Sequence, residues 1–194
     1  HGHDVVVTRE PGGSPGAEAM RHIILSGAAK PLGPDTEAIL FAAARSDHVM
    51  SVIEPALAAG RWVLCDRFAD STRAYQGMLG NVDMRLIGAL ERIAIDRTPP
   101  DLTLILDLPP EIGLARAAVR RGADEVDRFE AESIEFHRRL REAYRQIAEQ
   151  SPYRCHIVDA AGDPEQVAEA VWQLVVGRFE ETAPETPARA VGGS

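Results

Sequence analysis

The run Trp62-Val63-Leu64-Cys65-Asp66-Arg67 sets a carboxylate and a guanidinium directly after four apolar residues. A carboxylate so placed can hold a hydrated Mg²⁺ beside a triphosphate, and the arginine fork can grip a phosphate with two parallel hydrogen bonds. The next ten residues, FADSTRAYQG, add the hydroxyls of Ser71 and Thr72, an arginine, the Tyr75 ring and an amide, read here as a loop able to address a small polar ligand. Upstream, Phe41 and Arg45 stand four residues apart in ILFAAAR, hence on one face of a helix. A flat apolar wall beside a donor fork suits a nucleobase with a carbonyl edge. Each feature has a plainer reading: strand ends are often charged because they are solvated, and a lone helical Phe or Arg is commonly core or surface. Their convergence at one end of a set of strands points to chemistry.

Those strands follow from period and punctuation. Short β-branched or apolar runs occur at 3–8 (HDVVVT), 61–66 (RWVLCD), 100–108 (PDLTLILDL) and 153–160 (YRCHIVDA). Helical patterns occupy 16–27, 33–60, 82–97, 109–122, 131–150 and 163–179, with Asp35 or Thr36 as the expected cap of the second and Pro at the first turn of the fourth. Strands alternating with helices predict an α/β fold, a parallel sheet covered by helices on both faces, with ligands beyond the carboxyl ends of the strands. Those ends are Thr8-Arg9-Glu10, Asp66-Arg67, Asp107 and Asp159. A single domain over 1–181 is expected, with a charged connection near 116–130 and a flexible tail at 182–194 that is rich in Pro, Glu and Ala.

Composition narrows the function classes. The 194 residues are 45% hydrophobic and carry a formal charge of −9, which argues against a general nucleic-acid binder. Of 21 basic residues only Lys30 is a lysine, a bias that arginine-rich codon usage also explains, so position carries more weight than count. No apolar run approaches the roughly 20 residues that span a membrane, and a cytoplasmic location is expected. The two cysteines, Cys65 and Cys155, sit in apolar stretches and read as buried reduced thiols.

Five blocks, TREPGG, ILFAAAR, DRFADSTRAYQG, PDLTLILDLPPEIGLAR and DRFE, resemble bacterial thymidylate kinase in order and spacing, over Asp4 to about Gly177. The resemblance implies a P-loop nucleoside monophosphate kinase fold with a lid at about 116–130, ATP as donor, dTMP as acceptor, Mg²⁺ and a homodimer. It implies that Phe41 stacks on thymine and Arg45 bonds a base carbonyl. Arg67 grips the acceptor phosphate, and Asp66 organises the metal shell through water. Ser71 and Thr72 lie near the base edge, and Tyr75 fills the space of a ribose 2′-hydroxyl. Pro11 walls the thymine methyl, with Arg9 and Glu10 toward the sugar and phosphate. Arg120, Arg121 and Arg128 of the lid are the candidate catalytic arginines, against the alternative of solvated residues paired with Asp124, Glu125 and Asp127.

One departure stands out. The family's G-x-x-x-x-G-K-[ST] loop, whose amides and lysine cradle donor phosphates, does not occur in the sequence; Lys30 is followed by Pro-Leu-Gly. The resemblance therefore leads one to expect a further strand and helix upstream of His1, that strand lying between those at 61–66 and 101–107, and donor chemistry that needs them. Two other readings stay open from sequence: a non-catalytic nucleotide-binding or scaffold protein, and a kinase of a related nucleoside monophosphate.

Overall fold

The computed structural model describes residues 2–121 and 128–179. The expected tail at 182–194 and the middle of the expected lid, 122–127, lie outside the described residues.

The first strand, β1 (Val5–Arg9), is β-branched at four of its five positions. Ser14 caps α1 (Pro15–Leu25) by accepting the Ala17 amide, and Pro15 occupies the first turn, where its missing N–H costs nothing. A short 3₁₀ turn at Lys30–Leu32 leads to α2 (Pro34–His48). The cap of α2 is Gly33, at φ 89°, with Pro34 behind it; Asp35, expected as the cap, lies in the first turn, and the Thr36 hydroxyl turns back to the Leu32 carbonyl.

The helix expected over 33–60 is interrupted. A π-helical segment, Val49–Ile53, joins α2 to α3 (Glu54–Ala58). Pro55, at the start of α3, has no amide for the carbonyl four residues back, so the chain enters it in a wider register.

Strand β2 (Trp62–Asp66) runs parallel to β1, Arg9 opposite Asp66. Beyond Arg67 the expectation from sequence needs correcting. The stretch taken as a loop is helical, α4 (Ala69–Thr72) running into a π segment, Arg73–Leu79. Burial decides this: Ala69, Ala74 and Gly77 face the core, and a Cβ on Gly77 would lie 2.7 Å from the Met84 sulfur. Helix α5 (Met84–Ile95), capped by Asp83, supplies that neighbour.

Strand β3 (Thr103–Asp107) is followed by α6 (Pro110–Arg121) and α7 (Ile134–Gln150), then β4 (Cys155–Asp159) and α8 (Pro164–Phe179). Strands β3 and β4 are parallel, with Asp107 opposite Asp159. The expected parallel pairing is present, but a single sheet covered on both faces is not. Among the described residues the strands form two separate pairs, β1-β2 and β3-β4, with no ladder between β2 and β3. Val7, Leu64 and Leu106 are each more than half exposed, so among the described residues each pair is left open at these positions.

Buried residues gather in three clusters, one where α7 and the Arg73–Leu79 segment meet β3 and β4, one between α2 and the end of α5, and one where Ala38 meets Val82 and Ile87. Polar welds join the layers. Asp107 takes both prongs of Arg141 at 2.6 and 2.8 Å, which holds its carboxyl below the usual range. Asp70 takes both prongs of Arg154 at 2.6 and 2.9 Å. Both cysteines are free; Cys155 is buried, and burial pushes the half-buried Cys65 thiol up to about 12.

Candidate acceptor site

Where β2 ends, Arg67 takes a left-handed backbone, φ 64°, a conformation that costs a non-glycine residue about 1–3 kcal/mol unless its surroundings enforce it. The Cys65 thiol donates to its carbonyl at 3.1 Å. The turn carries the Arg67 guanidinium over the Tyr75 ring, 5.4 Å from its centroid, with Nη1 donating to the Tyr75 hydroxyl at 3.1 Å. Tyr75 in turn meets Phe129 edge-on at 5.1 Å. Beside them the Ser71 and Tyr144 hydroxyls share a 2.8 Å hydrogen bond, and burial pushes the Tyr144 phenol up to about 12. Asp66 is exposed, and its carboxylate forms no hydrogen bond or ion pair among the described residues.

The floor of the site is a buried polar chain. Arg45 donates Nε to Glu10 at 2.7 Å and Nη2 to the Thr72 hydroxyl at 3.1 Å. The other Glu10 oxygen lies 3.1 Å from Nδ1 of His48, whose Nε2 is 2.7 Å from the Thr8 hydroxyl. Glu10, Arg45, His48 and Thr72 are all at most 5% exposed. Glu10, expected toward the sugar and phosphate, is thus turned inward as the counter-ion of Arg45. Phe41 is half-buried on the same helix, but the ring that Arg45 covers is Phe68, at 5.4 Å.

The remaining TREPGG residues form the rim. Arg9 is half-exposed and paired with Glu18 at 3.0 Å, while the Pro11 carbonyl accepts from Arg21 at 2.8 Å across a cis Glu10–Pro11 bond. Glu18 also accepts the Gly13 amide, and that bond with the nearby Arg9 holds its carboxyl below the usual range.

Of the arginines expected to act from a lid, Arg120 and Arg128 have different partners among the described residues. Arg120 is exposed and 3.8 Å from Glu130; the side chain of Arg121 lies outside the described residues. Arg128 is bound down, with Nη2 2.7 Å from Glu37, Nη1 donating to the Ile24 carbonyl at 3.2 Å, and the guanidinium over Phe129 at 4.8 Å. The expected partners Asp124, Glu125 and Asp127 lie outside the described residues. Sequence reasoning missed His48, Phe68 and Tyr144. His48 was within reach of it, since it follows Arg45 by three residues on one helix face.

The donor set for a cation is sparse: among the described residues no three His, Cys, Asp or Glu side chains cluster as a metal site. A lone, unpaired carboxylate such as Asp66 fits a hydrated ion held through water, not an ion wrapped by protein.

A family model described as Thymidylate kinase matches residues 1–171. A thymidylate kinase of Rhodopseudomonas palustris (strain TIE-1) is 62% identical over 179 residues, 92% of this chain and 78% of that protein. One of Bradyrhizobium diazoefficiens is 62% identical over 177 residues, 91% of this chain and 78% of the relative. The crystal structure of thymidylate kinase from Ehrlichia chaffeensis superposes with a TM-score of 0.68 at 32% identity, covering 89% of this chain and 80% of that one. Together with the arginine, tyrosine and buried Glu10–Arg45 pair at the strand ends, these matches place the chain: it belongs to the thymidylate kinase family.

Proposed function

We propose that this chain is the kinase that moves the γ-phosphoryl group of ATP to dTMP, giving dTDP and ADP. The observation that carries the reading is the placing of two groups at the carboxyl ends of β1 and β2: an exposed Arg67 braced on Tyr75, and a buried Arg45 held by Glu10 and Thr72. In the reaction an oxygen of the acceptor phosphate attacks the γ-phosphorus and ADP leaves, so the protein's part is positioning and charge.

Arg67 binds the acceptor phosphate and fixes its attacking oxygen. Arg45 reads a carbonyl of the base, Phe41 stacks on its face, and Pro11 lies against its methyl. Ser71 and Thr72 border the base edge, Tyr75 occupies the 2′ side of the sugar, Arg9 borders the sugar and phosphate from the other strand, and Glu10, turned inward, acts on the base through Arg45. Asp66 would hold Mg²⁺ through water, and the ion would supply charge neutralisation to the donor phosphates. Arg120, Arg121 and Arg128 serve the transferring group, Arg128 only after leaving Glu37. No P-loop motif occurs in the sequence, so no residue here is assigned to cradling the donor phosphates.

No helix among the described residues is long and apolar enough to cross a membrane, in keeping with a cytoplasmic enzyme. A homodimer is supported by Ile39, Met50 and Leu57, exposed at 47, 68 and 44% along the α2–α3 run. Light scattering at micromolar concentration should give twice the chain mass; a monomer contradicts the pairing.

The protein should phosphorylate dTMP in a coupled ADP-release assay and reject UMP, and Tyr75→Ala should narrow the preference for dTMP over UMP by about tenfold, one group's worth of steric exclusion. Absence of dTMP turnover removes the function; equal discrimination by both proteins removes Tyr75 from the sugar.

A further inference from the structure

His48 is the most enclosed polar side chain of the acceptor site, 0% exposed, and the proposed chemistry gives it no direct task. Its carboxylate neighbour places a proton on one ring nitrogen. A carboxylate oxygen only accepts, so Nδ1, 3.1 Å from Glu10 Oε1, carries a proton and donates it; in the neutral ring Nε2 then accepts from the Thr8 hydroxyl at 2.7 Å. The ring is also clamped from above by the glycine loop. A Cβ on Gly13 would lie 2.5 Å from both His48 Nε2 and Thr8 Oγ1.

The result is a continuous chain, Thr8–His48–Glu10–Arg45–Thr72, with links of 2.7, 3.1, 2.7 and 3.1 Å, running from β1 through α2 to α4. Glu10 alone, bonded only to Arg45 Nε, could rotate its carboxylate about its terminal torsion and let the guanidinium swing. A donor on the second oxygen removes that freedom. Stability is a poor reason for a histidine here, because replacing buried polar partners with apolar groups of the same shape is often neutral or better. Orientation is the better reason, since a reading group must be held to within about 0.5 Å and 10–20° by its supporting bonds.

We propose that His48 is a positioning residue: through Glu10 it sets the plane of the Arg45 guanidinium and so the enzyme's affinity for the acceptor base. The inference rests on the acceptor-site reading above, and it predicts an effect confined to the nucleotide monophosphate.

Two variants of the full protein separate the two bonds of the ring. In His48→Gln the amide falls near Nε2, keeping the Thr8 contact and losing the donor to Glu10. In His48→Asn the amide nitrogen falls near Nδ1 and restores that donor. The expected result is KM for dTMP raised about fivefold in His48→Gln, with kcat and KM for ATP within about twofold of wild type, a loss of uniform binding. His48→Asn should recover most of that loss. Equal KM values in the two variants, or a fall in kcat and ATP affinity alike, overturn the proposal. Should His48→Gln lose its cooperative melt, Thr8→Val supplies the test by freeing the other tether of the ring: KM for dTMP should rise two- to threefold at constant kcat, and an unchanged KM overturns the proposal. Wild-type turnover of dTMP is the separate control, so a failure of the function itself is not mistaken for a failure of His48.

Discussion

Glu10→Ala should lower unfolding free energy by about 3–5 kcal/mol, the usual cost of removing one partner of a buried ion pair. Arg45 is 4% exposed, and its Nε has the Glu10 carboxylate at 2.7 Å as its charged partner. Without that carboxylate a guanidinium remains out of water with a hydroxyl and an aromatic face for company, and His48 loses its acceptor. Against a total stability of about 5–15 kcal/mol, such a loss is a large fraction of the fold. Glu10→Gln keeps the shape and one acceptor but not the charge, so it should fall between wild type and alanine. Urea titration measures both as a drop in midpoint with unchanged slope. A loss for Glu10→Ala below about 1 kcal/mol, typical of an exposed pair, would show that the charge is not buried in solution.

The second large effect is kinetic. Arg67→Ala should reduce kcat/KM for dTMP by about 10- to 100-fold, because charge-assisted hydrogen bonds to phosphate are worth about 1.5–3 kcal/mol. Alanine is a clean probe here. It has the same steric objection to φ 64° as arginine, so the substitution removes the guanidinium without relieving the turn. Lysine should restore only part of the loss, since a point charge cannot make the forked contact or lie over the Tyr75 ring in the same way. Unchanged steady-state kinetics in Arg67→Ala would place the acceptor phosphate elsewhere.

Hydrophobic period and Gly/Pro punctuation are local quantities, and what they determine was legible in the sequence. The strand expected at 61–66 is Trp62–Asp66, the one at 100–108 is Thr103–Asp107, and the charged ends Asp66-Arg67 and Asp107 fall where the strands stop. The order of five motifs was enough to identify the family. Tertiary structure alone decided the rest, because it depends on which distant groups meet. The helix after Arg67 has a loop-like composition and is held by Met84 and Ile87 across from Gly77. Glu10 finds Arg45 35 residues away and His48 38 away, while Arg128 reaches Glu37 across 91. A carboxylate at a strand end looks the same in sequence whether it faces solvent, as Asp66 does, or is spent inward, as Glu10 and Asp107 are. Burial separates these fates: a charge left in water needs no partner, whereas one withdrawn from it must find one, and that partner is set by packing between helices and strands that no local pattern encodes.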